Sequence, residues 1–330
     1  MPPVCSRHVK SVGITGPPGS GKTTLWRAVT GGESKGEIAV VDVPEPRLDV
    51  LVEMENSRKR VPIQIQMVDV HAGARSAAAA MGELRKMDAL LLVVPSFGGQ
   101  DAATALSGYQ DDLILADLGP FENRIERARK DAASRHEVPA LEKALAHLEA
   151  GRPLRTGTWE PEELKAFAAM APVTLKPVVV VFNVDEEGLA AAPPAVDLPS
   201  FSASAALEAE VGGLGPEETK ELLGAYGIEE PVLGKVIDAV YRLLDLITFF
   251  TAGDTESRAW EVRRGATAPE AAGVIHSDIQ RGFIRAEIIG YDALVAAGSW
   301  NNAKAKGVLR LEGKDYKMVE GDVCHFRFAV

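Results

Sequence analysis

One stretch near the start of the chain, Ser11 to Thr30 (SVGITGPPGSGKTTLWRAVT), restricts what the rest can fold into. Within it, Gly16 to Thr24 has the spacing Gly-x-x-x-x-Gly-Lys-Thr. Apolar Val9, Val12 and Ile14 precede the loop as a short buried strand would, and Leu25, Trp26, Ala28 and Val29 follow it at helical spacing. Strand, glycine loop and helix in that order make a cradle for phosphate. Gly16, Gly19 and Gly21 can take backbone angles that cost other residues energy, so consecutive N–H groups can turn inward onto phosphate oxygens. The helix N-terminus adds its partial positive charge. Lys22 is placed to reach β and γ phosphates, which makes it a candidate catalytic as well as binding group. The Thr23 hydroxyl is placed to take one Mg²⁺ position, since Mg²⁺ prefers oxygen ligands. Pro18, Gly19, Ser20, Gly21, Lys22, Thr23 and Thr24 are the expected phosphate-side residues.

The following segments alternate between strand and helix. Ile38 to Val43 reads as a strand and Pro46 to Glu53 as the start of a helix. Val61 to Val70 (VPIQIQMVDV) alternates apolar and polar residues and reads as one half-exposed strand. Asp69, at its end, is the expected second-sphere Mg²⁺ ligand, because an acid there faces the crevice where open α/β sheets bind ligands. Ser76 to Lys86 is an alanine-rich helix. Ala89 to Pro95 and Val178 to Phe182 are the continuous apolar runs of strands covered on both faces. Between them, Phe121, Ile125, Ala128 and Ala132, then Leu141, Leu145 and Leu148, recur at helical spacing on either side of Pro139. They predict an antiparallel helical hairpin, an arm inserted at about 112–172. The whole of 1–247 reads as an α/β parallel sheet of the P-loop NTPase type. From 248 to 330 the pieces become short and strand-like, with one helix at Ala268 to Ser277, as in a small mixed-β domain of about 80 residues.

Charge and cysteine content narrow the functional classes. The formal net charge is −11, which disfavours binding free DNA through bulk charge. All the acidic excess lies before residue 248. Cys5 and Cys324 form no metal-binding cluster or disulfide framework, which fits a reducing cytoplasm. Apolar runs fall well short of the roughly 20 residues that span a bilayer, and MPPVCSRHVK lacks the apolar core of a signal peptide. A cytoplasmic location and no membrane partner are expected.

The chain resembles the YchF or Obg-like ATPase family along nearly its whole length. The stretches FFTAGDTESRAWEVRRGATAPEAAGVIHSDIQRGFIRAEII and KAKGVLRLEGKDYKMVEGDVCHFRF resemble that family's TGS domain, a β-grasp-like module. PEPRLDVL, LKPVVVVFNVDEEG and SAALEAEV occur in the family's order. The resemblance implies Mg²⁺-dependent hydrolysis with ATP preferred over GTP. It also implies binding to the ribosome or ribosomal RNA through the TGS domain, with the helical arm as a second contact. Asn183, Val184 and Glu186, with the Ser204-Ala205-Ala206 loop, are expected at the base. Where a GTPase has Asn-Lys-x-Asp, Val184 replaces the Lys and Glu186 the Asp, so guanine loses a well-placed acceptor.

The chain departs from the family pattern around both switch segments. Gly31 to Val50 contains no Thr to close over a γ-phosphate, and Asp69-Val70-His71-Ala72-Gly73 is one residue longer than the usual Asp-x-Ala-Gly. His71 is the candidate catalytic substitute in that altered segment. Two readings follow: a slow ATPase that engages the ribosome, or an adaptor that holds nucleotide without turnover.

Overall fold

The computed structural model describes residues 9–31, 36–70, 76–212 and 214–329. His71 therefore lies outside the described residues. In chain order the strands are β1 (Lys10–Thr15), β2 (Ile38–Asp42), β3 (Arg60–Val61), β4 (Gln64–Asp69), β5 (Ala89–Pro95), β6 (Val178–Asn183), β7 (Ser200–Ala203), β8 (Leu246–Thr251), β9 (Ser257–Arg263), β10 (Phe283–Gly290), β11 (Arg310–Glu312) and β12 (Asp322–Phe328).

The first sheet has the order β2-β4-β1-β5-β6-β7, and β1, β5, β6 and β7 run parallel. Its centre is buried on both faces. Every residue of β5 and β6 is buried, which is why Ala89–Pro95 and Val178–Phe182 are uninterrupted apolar runs rather than alternating ones. Close packing reaches the backbone at Gly13 of β1, where a Cβ would come within 2.8 Å of Met87 Cγ. Parallel order and burial put the C-terminal ends of β1, β5 and β6 side by side, and the candidate loops hang from those ends.

The segment expected as a single strand over Val61 to Val70 is in fact two. Pro62 has no N–H to give to a ladder, and the chain breaks there into β3 and β4, which join different sheets. The helical arm also differs from expectation. Its first helix is Ala102–Lys130, starting well before Phe121 and carrying Pro120 inside it, and Pro139 sits in the first turn of the next helix, Val138–Glu149. Gly108, Gly119 and Pro120 are poor helix formers and hid the first half of that helix from the sequence pattern. A third helix, Pro161–Ala168, completes the packing. Phe167 meets Phe121 edge-on at 5.5 Å among Ile125, Ala128, Leu141, Ala144 and Leu148.

The chain divides into two compact units, residues 10–41 with 66–240, and residues 42–65 with 241–330. The expected boundary at 247 keeps 42–65 with the phosphate loop, whereas these residues cluster with the C-terminal ones. In the second unit β3 pairs in parallel with β9, and Arg47, from the helix Pro46–Glu55, bridges Glu45 and Glu320 while lying over the Phe250 ring. Its sheet has the order β11-β10-β12-β8-β9-β3, with β8–β9, β10–β12 and β10–β11 antiparallel and β8–β12 parallel. The helix Ala268–Ile275 covers one face, sealing Ile247, Phe249, Trp260 and Ile288. Thr267 and Glu270 cap it reciprocally. Two further helices, Tyr291–Ala297 and Trp300–Ala305, were not legible in the sequence. Among the described residues, no helix is long and apolar enough to cross a membrane.

Candidate nucleotide-binding site

The loop between β1 and the helix Lys22–Val29 is held in one shape by its glycines. Gly16, Gly19 and Gly21 have φ of 147°, 74° and 89°, a region that side chains with a Cβ avoid. Two of them are also points of close approach. A Cβ on Gly16 would fall 2.1 Å from the Val93 carbonyl oxygen, and one on Gly21 would fall 2.2 Å from Asn183 Nδ2. The helix begins at Lys22 without a side-chain cap, so its first N–H groups remain available to an anion at that end.

Lys22, Thr23 and Asp69 converge from two strand ends. Thr23 Oγ1 donates to Asp69 Oδ2 at 2.9 Å, and Asp69 is buried. Lys22 Nζ donates to the Pro17 carbonyl at 2.7 Å, folded back across the loop it would leave to reach phosphate. Burial lowers the Lys22 pKa, and the Asp69 carboxylate pulls in the opposite direction. A hydroxyl and a carboxylate side by side form a hard oxygen donor pair, which fits Mg²⁺ shared with phosphate. Among the described residues no group of three or more His, Cys, Asp or Glu is arranged to hold a metal, so a cation here needs the phosphates as further ligands.

Asn183, at the end of β6, ties the far side of the loop. Its Nδ2 donates to the Ser20 carbonyl and its Oδ1 accepts the Ala205 N–H, both at 2.9 Å. One amide thus joins the phosphate loop to the Ser204-Ala205-Ala206 segment, where Ser204 caps the helix Ala205–Val211. Val184 is buried beside it, its N–H donating to the Ala203 carbonyl at 3.0 Å. Glu186 is exposed and opens the short turn Glu187–Ala190. Pro18 and Gly19 stand exposed on the rim, as do Thr23 and Thr24.

The sequence reading missed Tyr109. From the second turn of the helix Ala102–Lys130, its hydroxyl hydrogen-bonds Thr15 Oγ1, the residue immediately before the loop, with both side chains buried. No signal could have found it, because that half of the helix was itself unrecognised.

A parallel sheet that delivers a glycine loop, Lys22, Thr23 and Asp69 to one edge defines a P-loop nucleotide-binding protein. The family model for the C-terminal region of YchF GTPases, described as a protein of unknown function, matches residues 246–329. The ribosome-binding ATPase YchF of Haemophilus ducreyi is 39% identical over 96% of this chain and 99% of its own. The protein of the same name from Bacillus subtilis is 36% identical over 97% and 99%. Obg-like ATPase 1 of Oryza sativa subsp. japonica is 30% identical over 98% and 93%. The solved YchF GTPase of Schizosaccharomyces pombe superposes with a TM-score of 0.85 at 28% identity, covering 97% of each chain. The chain belongs to the YchF family.

Proposed function

We propose that this chain is a cytoplasmic, Mg²⁺-dependent ATP-binding protein that hydrolyses ATP slowly and acts at the ribosome. The observation that carries the reading is the Thr23 hydroxyl set 2.9 Å from the Asp69 carboxylate, at the mouth of a glycine loop that also presents Lys22. That trio is suited to a metal–triphosphate. Preference for ATP follows from the base side, where buried Val184 and exposed Glu186 stand in place of the Lys and Asp that guanine uses. GTP is the weaker alternative ligand. Ribosome binding is supported by the ribosome-binding ATPases that match nearly the whole of this chain. The segment 248–330, read as a TGS domain, is its proposed contact, with the helical arm as the second. Arg285 and Arg327 sit opposite each other on β10 and β12; Arg327 is paired with Glu287, which leaves Arg285 as the guanidinium suited to phosphate oxygens on this stretch.

Parallel titrations of ATP and GTP with and without Mg²⁺, followed by cosedimentation with ribosomal particles across a salt series, test both halves. Tighter ATP than GTP binding that requires Mg²⁺, and pelleting that weakens with salt, are expected. Absence of any nucleotide binding, or a chain that stays in the supernatant at low salt, overturns the corresponding half.

A further inference from the structure

The phosphate loop is tethered at both ends by side chains from outside it, and only one tether belongs to the motif already described. At the far end Asn183 holds the Ser20 carbonyl. At the near end Thr15 closes β1 fully buried, and Gly16 turns at φ 147° against the Val93 carbonyl, which leaves no room for a side chain on the β5 side. The opposite side is filled by Tyr109, 5% exposed. Its phenol hydroxyl bonds Thr15 Oγ1 and also meets the Gly16 backbone N–H. Burial raises the phenol pKa, so the group is a neutral hydroxyl at any ordinary pH.

We infer that Tyr109 is a positioning residue for nucleotide, its hydroxyl fixing the start of the phosphate loop through Thr15 and Gly16. The inference rests on the nucleotide reading above. It goes beyond that reading, because Tyr109 lies outside the motif and on the helix that continues into the arm. A loop whose N–H groups are already aimed pays less to organise around phosphate, so affinity depends on what holds it before the ligand arrives. Tyr109 acts on the strand end and the first glycine, and neither faces the base. Its effect is therefore the same for every nucleotide carrying the β-phosphate.

The test is Tyr109→Phe, which keeps the ring and its packing and deletes the hydroxyl, with Thr15→Val as a second variant that removes the partner at nearly constant volume. ATP, ADP and GTP affinities are measured by calorimetry beside wild type and Lys22→Ala, with the unliganded melting temperature recorded for each protein. The expected result is a loss of about threefold to tenfold for Tyr109→Phe, the scale of one buried hydrogen bond, equal for all three nucleotides, and a loss in the same direction for Thr15→Val. A lower melting temperature with unchanged nucleotide affinities would reduce the pair to a structural bond and overturn the inference. A loss confined to one base would overturn it too. If Lys22→Ala binds as wild type does, the nucleotide reading itself fails, a result distinct from either.

Discussion

The Arg85 guanidinium donates to the Ala116 carbonyl at 2.7 Å, and this is the carbonyl that residue 120 would cap in a regular helix but, being proline, does not. Arg85 immediately follows the helix Ala77–Leu84 and works as a surrogate donor at the base of the arm. It also pairs with buried Asp117 at 2.8 Å and donates to the Met170 carbonyl at 3.1 Å. Asp117 in turn accepts the Val173 and Thr174 N–H groups and the Thr174 hydroxyl. One guanidinium therefore satisfies the outgoing helix of the arm and the chain that returns from it.

Replacing Arg85 by Ala leaves Asp117 fully buried with one partner fewer. Breaking such a pair from one side costs about 3 kcal/mol. Pro120→Ala restores the missing N–H, and it should stabilise the Arg85→Ala protein by more than it stabilises wild type, where Arg85 already occupies the carbonyl. Urea midpoints of the four proteins give the coupling. Strict additivity would mean that Arg85 does not compensate for the proline.

Glu208 gives a pH signature in the same unit. It is buried, and its Oε1 accepts the N–H of Val232 at 3.0 Å. Burial raises its pKa, opposed by that hydrogen bond and by Lys235. A carboxyl whose folded pKa is raised is harder to ionise in the fold than in the unfolded chain. Below the ordinary value of 4.5 both states are protonated and nothing is lost; as pH rises above it, the unfolded chain ionises first and stability falls. Glu208→Gln keeps an oxygen for Val232 and removes the charge. Its melting temperature should exceed that of wild type at pH 7 and match it at pH 4. An equal difference at both pH values would show that the buried charge is not responsible.

The parallel sheet was legible because β5 and β6 must be apolar at every position, and the phosphate loop because its glycines have no substitute at these φ values and close approaches. Lys22, Thr23 and Asp69 followed from the motif and from the position of a strand end. The sequence points to Asn183 as a base contact, whereas the hydrogen bonds that tie it to Ser20 and Ala205 depend on loops far apart in sequence, which no spacing encodes. The same holds for Tyr109 and Arg85, whose partners lie 94 and 31 residues away. The break at Pro62 was visible as a proline, but the joining of β3 to β9 is a long-range pairing that local alternation conceals.

Base choice is testable by reversal. Val184, next to Asn183, is buried and contributes no charge, while the carboxylate of Glu186 sits one methylene farther from the backbone than an Asp would place it. Val184→Lys with Glu186→Asp restores the group that packs on a guanine ring and the acceptor for its N1–H and 2-amino donors. The ratio of GTP to ATP affinity should rise about tenfold or more, since a site built to bond a donor discriminates strongly against a base that lacks it. Competition titrations against a fluorescent nucleotide measure this directly, and an unchanged ratio would place the base elsewhere.

Hydrolysis by the isolated protein should be slow. Phosphoryl transfer is mostly positioning and stabilisation of charge on the transferred group, so each absent element raises the barrier directly. On the proposed reading, Lys22, Thr23 and Asp69 are the groups that hold metal and nucleotide. Lys22 must first leave the Pro17 carbonyl, a hydrogen bond that a γ-phosphate would replace with a charge-assisted one. What the sequence lacks is a Thr between Gly31 and Val50 to close over the γ-phosphate and a Gln after Gly73, where Ala74 cannot orient water. Losing one such preorganised group commonly costs about 10²–10³ in rate. Single-turnover phosphate release should therefore run below roughly 1 s⁻¹, the lower end for typical enzymes, and should accelerate if ribosomal particles supply the missing group. Lys22→Ala should abolish whatever rate remains, and His71→Ala should slow it only if the histidine has taken over the water-orienting role. Rapid release by the isolated wild-type chain, lost in Lys22→Ala, would show that the altered switch segments carry a complete catalytic apparatus after all.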